Sequence, residues 1–138
     1  MLNQIITIGK NKSSLNYKDS TEKFLAMKNN NKNLPIGIAI TENDKIIGFC
    51  TLRENRLLNH LNINPWLCNV MIFEEFRSKG FAKIMLNTAY KKFKALGYNK
   101  IYVWTDQVPN FYKNLGWKYE GKVIKNEGGE GLLFSKEI

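Results

Sequence analysis

Histidine is almost missing from this chain, with His60 the only one, and cysteine occurs just twice, at Cys50 and Cys68. A structural zinc site draws about four ligands from cysteine and histidine, so such a site is excluded. Two cysteines set inside apolar runs, without a spaced framework, exclude a disulfide scaffold. No stretch reaches the roughly 18 consecutive apolar residues that span a membrane. The beginning of the chain lacks the basic segment and apolar core of a signal peptide, so a cytoplasmic protein without a membrane partner is expected. Glycine is present but not in the patterns of nucleotide binders. The Gly-x4-Gly-Lys-Ser/Thr spacing of a P-loop is absent, and so is the three-glycine dinucleotide fingerprint. Arginine is scarce too. Arg53, Arg56 and Arg77 are the only ones, so the other eighteen of the 21 basic side chains are lysine.

What remains is the composition of an ordinary globular protein. The 138 residues, 43% hydrophobic and 24% charged, suit a single domain over 1–138 with its own buried core. The formal charge of +9 speaks to solubility and association rather than to fold. Its distribution is more telling. From Arg77 to Thr105 there are seven basic residues and no acidic one, a segment that would steer and hold a multiply negative ligand.

Residue patterning predicts an α/β fold. Gln4–Ile8 reads as a short strand and Tyr17–Lys28 as a helix burying Phe24, Leu25 and Met27, followed by a Lys/Asn-rich loop over Lys28–Asn33. Pro35–Thr41 and Lys45–Leu52 form a hairpin around the turn-forming Glu42-Asn43-Asp44. Arg53–Asn64 is polar and irregular, and is placed beside a substrate site. Trp66–Phe73 suits a central strand buried on both faces. Phe81, Ile84, Met85, Ala89, Phe93 and Leu96 recur at helical steps opposite Lys83, Asn87, Lys91 and Lys94, and Gly97 ends that helix. Lys100–Thr105 reads as a second buried strand, parallel to the first through a right-handed crossover. Asn110–Leu115 is a short helix stopped by Gly116. Trp117–Tyr119 and Gly131–Ser135 close the sheet through a turn at Gly128-Gly129.

The loop Arg77-Ser78-Lys79-Gly80-Phe81-Ala82, between strand and helix, carries the chemistry. The first N–H groups of a helix lack intrahelical acceptors and sit at the positive end of its dipole, so they converge on phosphate. Gly80 admits close approach, Ala82 keeps the next turn slim, and Arg77 and Lys79 add charge. Glycine at such a junction is also a common turn residue, so the loop alone does not decide the ligand.

Its neighbours do. Val70-Met71-Ile72, then Phe76–Ala82, Leu96-Gly97 and Phe111-Tyr112-Lys113-Asn114-Leu115-Gly116-Trp117, in that order, resemble the GNAT superfamily of acetyl-CoA-dependent N-acetyltransferases. Arg77–Ala82 matches the family's Arg/Gln-x-x-Gly-x-Gly/Ala signature, and Phe111–Trp117 its Phe-Tyr-x-x-Leu-Gly-Phe/Trp signature. Pro65-Trp66-Leu67 and Trp104-Thr105-Asp106 are similar to a bacterial subgroup. The match covers roughly residues 35–138. Phe73-Glu74 stands where many members carry Asp-Pro, and Thr105 where many place an asparagine that contacts CoA.

The resemblance implies a single-domain GNAT-like fold, a central mixed twisted sheet flanked by helices, binding acetyl-CoA as co-substrate. It implies pantetheine pairing along the backbone of Val70, Met71 and Ile72, and an N–H at Val70 facing the thioester carbonyl. It implies pyrophosphate held by Arg77, Ser78, Lys79, Gly80, Phe81 and Ala82, with Thr105, Phe111 and Tyr112 lining the cofactor. Tyr112 is then the acid that protonates the departing thiolate, as an amine attacks directly in a ternary complex. For the base, Asp106, His60, Glu54 and Glu75 stand unranked. Cys68 reads as apolar packing rather than a nucleophile, because no histidine-based triad is available. The acceptor amine is open, and the protein is expected as a monomer or homodimer. The rival readings are a non-enzymatic nucleic-acid binder, disfavoured here, and a silent CoA-sensing module.

Overall fold

The β3–β4 hairpin organises the molecule. A computed structural model describes residues 4–10, 18–19 and 34–138, and places β3 (Ile36–Glu42) and β4 (Lys45–Arg53) side by side and antiparallel. Asn43 and Asp44 turn between them with φ of 51° and 64°, the left-handed region that short polar side chains tolerate. On the outer side of β3 runs β1 (Gln4–Lys10), in parallel register from Gln4↔Ile36 to Lys10↔Glu42. The two-residue β2 (Lys18–Asp19) edges it, where sequence patterning predicts helix; the remainder of that predicted helix lies outside the described residues.

On the other side of β4 come β5 (Trp66–Ile72), a 3-10 turn (Glu74–Phe76), α1 (Phe81–Ala95), β6 (Lys100–Thr105), α2 (Pro109–Asn114), β7 (Lys118–Ile124) and β8 (Glu130–Glu137). The eight strands form one mixed sheet in the order β2-β1-β3-β4-β5-β6-β8-β7. This is the single-domain α/β architecture that the residue pattern predicts, with its long crossover helix between parallel strands.

Alternation along the strands sorts the core into two layers. Ile38, Ile40, Cys50, Leu52, Leu67, Ile101 and Val103 face α1 and meet Met85, Leu86, Ala89 and Phe93. Those helix residues recur at three- and four-residue steps, which is why the sequence folds into a helix there and which face it buries. Phe93 is fully buried, a contribution of about 1.5–3 kcal/mol by transfer alone. On the opposite face a smaller cluster of Leu57, Trp66, Val123 and Leu133 packs with Tyr102 and Trp104. Leu57 and Ile63 bring the irregular segment 54–65 onto this face.

That segment is tied down at several points. Asn126 in the β7–β8 turn donates to the carbonyl of Arg56 at 2.9 Å and accepts from the N–H of Leu58 at 2.9 Å. Nε2 of His60 accepts from the N–H of Ile124 at 3.0 Å. Asn64 accepts from the N–H of Asn55 at 2.7 Å and donates to the Leu61 carbonyl at 3.0 Å.

The expectation that β5 is buried on both faces holds only for its first half. Trp66, Leu67 and Cys68 are buried in succession, but Asn69 is exposed and Met71 is 44% exposed. The cause is a bulge. The pairing with β4 slips between Phe49↔Met71 and Thr51↔Cys68, and Asn69 takes a φ of 54°. Gly48 lets β4 approach closely here; a Cβ at that position would come within 2.7 Å of the Met71 carbonyl.

Candidate active site

β5 and β6 are parallel neighbours, yet they share a single registered pair, Trp66↔Tyr102. One further hydrogen bond, from the N–H of Tyr102 to the Pro65 carbonyl at 3.0 Å, closes that end. Beyond it the two strands diverge, so the β6-facing edge of the bulged stretch Val70–Ile72 has no ladder partner. A sheet that forks in this way offers an extended ligand the hydrogen bonds of a missing strand.

The loop 77–82 stands where β5 leads into α1. Nε of Arg77 donates to the carbonyl of Ile72 at 2.8 Å, binding the loop to the last residue of β5. Ser78 and Gly80 both take left-handed conformations, with φ of 62° and 83°. Gly80 caps α1 without any side-chain hydrogen bond, and open space surrounds the position of its absent Cβ. The N–H of Ile84 donates to the Gly80 carbonyl at 3.3 Å, closing the first turn of α1. Charge gathers over the same loop. Nζ of Lys79 lies 5.9 Å from the centre of the Phe76 ring, and Nζ of Lys45, from the β3–β4 turn, lies 5.7 Å from it. Lys45 is a residue that sequence reasoning missed, because only the pairing of β4 with β5 carries it to this loop. A donor set of helix-terminal N–H groups and lysines beside an unobstructed glycine fits a pyrophosphate.

Tyr112, on α2, packs into the larger core cluster that α1 also joins. Its ring is 5% exposed and is held edge-on by Phe111 at 5.1 Å and Trp117 at 5.6 Å, with Phe134 of β8 at 6.2 Å. Trp117 is itself fixed, its indole N–H donating to the hydroxyl of Tyr90 on α1 at 3.1 Å. The Phe-Tyr…Gly-Trp sequence therefore folds as a clamp that sets one phenol. Burial pushes that phenol well above its ordinary range, the neighbouring Cys50 and Tyr90 add to the effect, and the charge of Arg56 opposes it. Tyr112 is thus neutral at ordinary pH. Its hydroxyl makes no hydrogen bond to any described residue. Nor is it among the enclosed polar atoms without partners, which among the described residues are the indole nitrogens of Trp66 and Trp104.

Thr105 ends β6, and its hydroxyl oxygen accepts from the N–H of Val108 at 3.1 Å and of Gln107 at 3.3 Å. Those bonds order the turn that precedes α2 and leave only the hydroxyl proton for a ligand. Phe111 is half-buried beside Tyr112.

Of the four candidate bases, three are held by partners distant in sequence. Asp106 pairs with Lys125 at 2.9 Å, which holds its carboxyl below the usual range. Glu54 accepts a short hydrogen bond from the Tyr98 hydroxyl, and His60 spends Nε2 on the β7 backbone. Glu75 is exposed on the 3-10 turn, directly before the loop. No group of three or more metal-ligating side chains assembles among the described residues, and none of their helices is long and apolar enough to cross a membrane.

On the face opposite α1, Cys68 and Arg56 adjoin the fork. Burial raises the Cys68 thiol, and the charges of Arg56 and Arg53 pull it back. Arg56 therefore acts on both Cys68 and Tyr112, a position its sequence neighbourhood gave no means of seeing beyond its being one of so few arginines.

Comparison with known proteins agrees with this geometry. The model of a family described as Acetyltransferase (GNAT) matches residues 8–117. Among solved structures, an aminoglycoside 6'-N-acetyltransferase complexed with coenzyme A superposes with a TM-score of 0.62 at 15% identity, over 86% of this chain and 83% of that one. An acetyltransferase from Bacillus cereus ATCC 14579 gives 0.57 at 21% identity, over 76% and 74% of the two chains. A GNAT family acetyltransferase from Elizabethkingia anophelis with acetyl-CoA bound gives 0.55 at 17% identity, over 71% and 72%. These likenesses bear on the fold. No curated protein sequence matches the chain.

Proposed function

The chain belongs to the GNAT family of acetyltransferases, and from that premise we propose that it carries the acetyl group of acetyl-CoA to a primary amine by direct attack in a ternary complex. The observation that carries this reading is the fork between β5 and β6, with the α1 N-terminus at one end and a buried, neutral phenol beside it.

Acetyl-CoA supplies the thioester. In this reading, the N–H groups of Ser78–Ala82 and the Lys79 and Lys45 ammonium groups receive its pyrophosphate, while Arg77 holds their loop in place. The backbone of Val70, Met71 and Ile72 pairs with the pantetheine arm. The N–H of Val70 donates to the thioester oxygen as negative charge develops there. One such donor in an established oxyanion hole is worth about 2.7–4 kcal/mol. The amine nitrogen attacks the carbonyl carbon, the C–N bond forms and the C–S bond breaks. The ammonium proton leaves to water or to a carboxylate. Tyr112 donates its proton to the departing sulfur and regains one from solvent. Burial keeps that phenol protonated but also makes it a weaker acid, and the nearby Arg56 charge moderates the loss.

Calorimetric titration with acetyl-CoA, followed by an amine panel with thiol detection, tests the reading. Binding in the micromolar range and thiol release with at least one amine are expected. Absence of binding below millimolar acetyl-CoA overturns it.

A further inference from the structure

Arg56 is placed with more care than a surface cation needs. Its carbonyl is pinned by Asn126 at 2.9 Å, and its neighbour Leu57 is buried against the sheet. Its guanidinium carbon lies 5.2 Å from the centre of the Trp104 ring, so the side chain is half-buried on a rigid aromatic platform. Such stacking holds the guanidinium in place and spares part of the ordering cost on binding.

The platform stands at the fork. Two residues on from the pair Trp66↔Tyr102, where the ladder has already ended, stand Cys68 on β5 and Trp104 on β6. Trp104 points away from α1, as its membership in the second apolar cluster shows. Arg56 therefore covers the start of the divergence on the face away from the helix, one bulge away from Val70.

Among the described residues its charge has no carboxylate partner. Asp106, the nearest acidic residue on β6's end, is committed to Lys125, and the carboxylate of Glu54 is committed to Tyr98. Lys125, which also lies over Trp104 at 6.0 Å, is thereby neutralised as a pair. Among the described residues neither Arg56 nor Arg53 has a carboxylate partner. Two of the chain's three arginines thus flank one place, in a chain that otherwise uses lysine. A planar guanidinium matches a carboxylate through two parallel N–H donors, which a lysine cannot do.

Resting on the transferase reading above, we propose that the acceptor is a small amino acid, its carboxylate held by Arg56 with Arg53 in support while its amine addresses the thioester at Val70. A polycationic acceptor would instead meet two unpaired like charges at the mouth of the site.

The test pairs L-amino acids with their carboxamides and their decarboxylated amines as acceptors, for the wild-type chain and for Arg56→Gln and Arg56→Lys. Wild type is expected to favour the acid over its carboxamide by about tenfold or more in kcat/KM, a typical effect of a charged hydrogen bond. Arg56→Gln should bring that ratio near unity, chiefly through KM, and Arg56→Lys should restore it only in part. Melting temperature and acetyl-CoA affinity of each variant separate a folding defect from a recognition defect. Calorimetry of the same amino acids with CoA present reads binding without turnover. Binding of the acid that Arg56→Gln abolishes supports the inference even where no thiol is released, an outcome that would sink the transferase reading alone. Equal use of acid and carboxamide by wild type, or an acid-to-carboxamide ratio left unchanged by Arg56→Gln, overturns the inference.

Discussion

Arg77 and Ile72 are joined by one hydrogen bond, from the guanidinium Nε to the main-chain oxygen at 2.8 Å. The bond makes the last residue of β5 and the first of the loop 77–82 a single corner. It turns Nε inward and leaves the outer guanidinium nitrogens to act as charge. Replacing Arg77 with Lys preserves the charge but not this bond. Arg77→Lys is therefore expected to weaken acetyl-CoA binding about as strongly as Arg77→Ala, by roughly tenfold for a lost charged hydrogen bond. Lys79→Ala should cost less. Calorimetric affinities for the three variants check the order.

Gly80 occupies a conformation that a side chain adopts only at a cost, while the space around it is open. Gly80→Ala should thus lower stability by about 1–2 kcal/mol from backbone strain, not from a clash. Acetyl-CoA affinity should fall further than stability, since the new methyl group stands where phosphate approaches. Chemical denaturation and calorimetry on the same variant separate the two effects.

Gly48 presents the opposite case. Its backbone is unstrained, but a Cβ would meet the Ile72 side chain at 2.5 Å and the Met71 carbonyl at 2.7 Å. Overpacking of this kind costs about 1–3 kcal/mol. Gly48→Ala is expected to destabilise the fold by that amount and to disturb the bulge that opens Val70. The check is a loss of both denaturation midpoint and acetyl-CoA affinity, whereas Ile46→Ala, at an exposed position of the same strand, should alter neither.

Tyr112→Phe removes one oxygen and keeps the ring in its clamp. Turnover is expected to fall by about a hundredfold or more, within the range of a general acid, with acetyl-CoA affinity unchanged. The raised folded-state pKa of this phenol means that its proton is present throughout the neutral and mildly alkaline range. The pH–rate profile should therefore show no loss assignable to Tyr112 below about pH 10, its ordinary value. Undiminished kcat in Tyr112→Phe would remove the assignment.

The hydrogen bond from Tyr98 to Glu54 pushes the Tyr98 phenol up to about 12. Because the folded value is raised, the stabilising contribution is complete below the unfolded value near 10 and is lost as pH rises through about 12. Glu54→Gln should remove much of this dependence. Denaturation midpoints of wild type and variant, compared between pH 8 and about 11.5, are expected to converge as the alkaline limit is approached.

The helix face of α1 was legible because Met85, Ala89 and Phe93 repeat at the period of the structure they form. The place of the loop between strand and helix was legible because Gly80 marks the junction, and so was the clamp around Tyr112, whose members Phe111 and Trp117 lie within one short stretch. The bulge was not. Asn69 looked like a polar interruption in a buried strand, although asparagine is one of the few residues that accept its φ of 54°. The partners of three candidate bases were hidden for another reason. Glu54, His60 and Asp106 are each engaged by a residue 44, 64 and 19 positions away, and no local pattern announces such partners. Arg56 was invisible for the same cause, since Trp104 and Asn126 meet it only once the sheet has formed.

The single ladder contact between β5 and β6 has a thermodynamic side. In the transferase reading the ladder that β6 leaves unmade along the fork is completed by a small molecule. A ligand that binds only the folded state raises its stability by about 2.7 kcal/mol at a hundredfold excess over Kd. The share of chains that stay folded, and so escape proteolysis, would then rise and fall with the supply of the acyl donor, making the abundance of the protein a slow record of the metabolite it consumes.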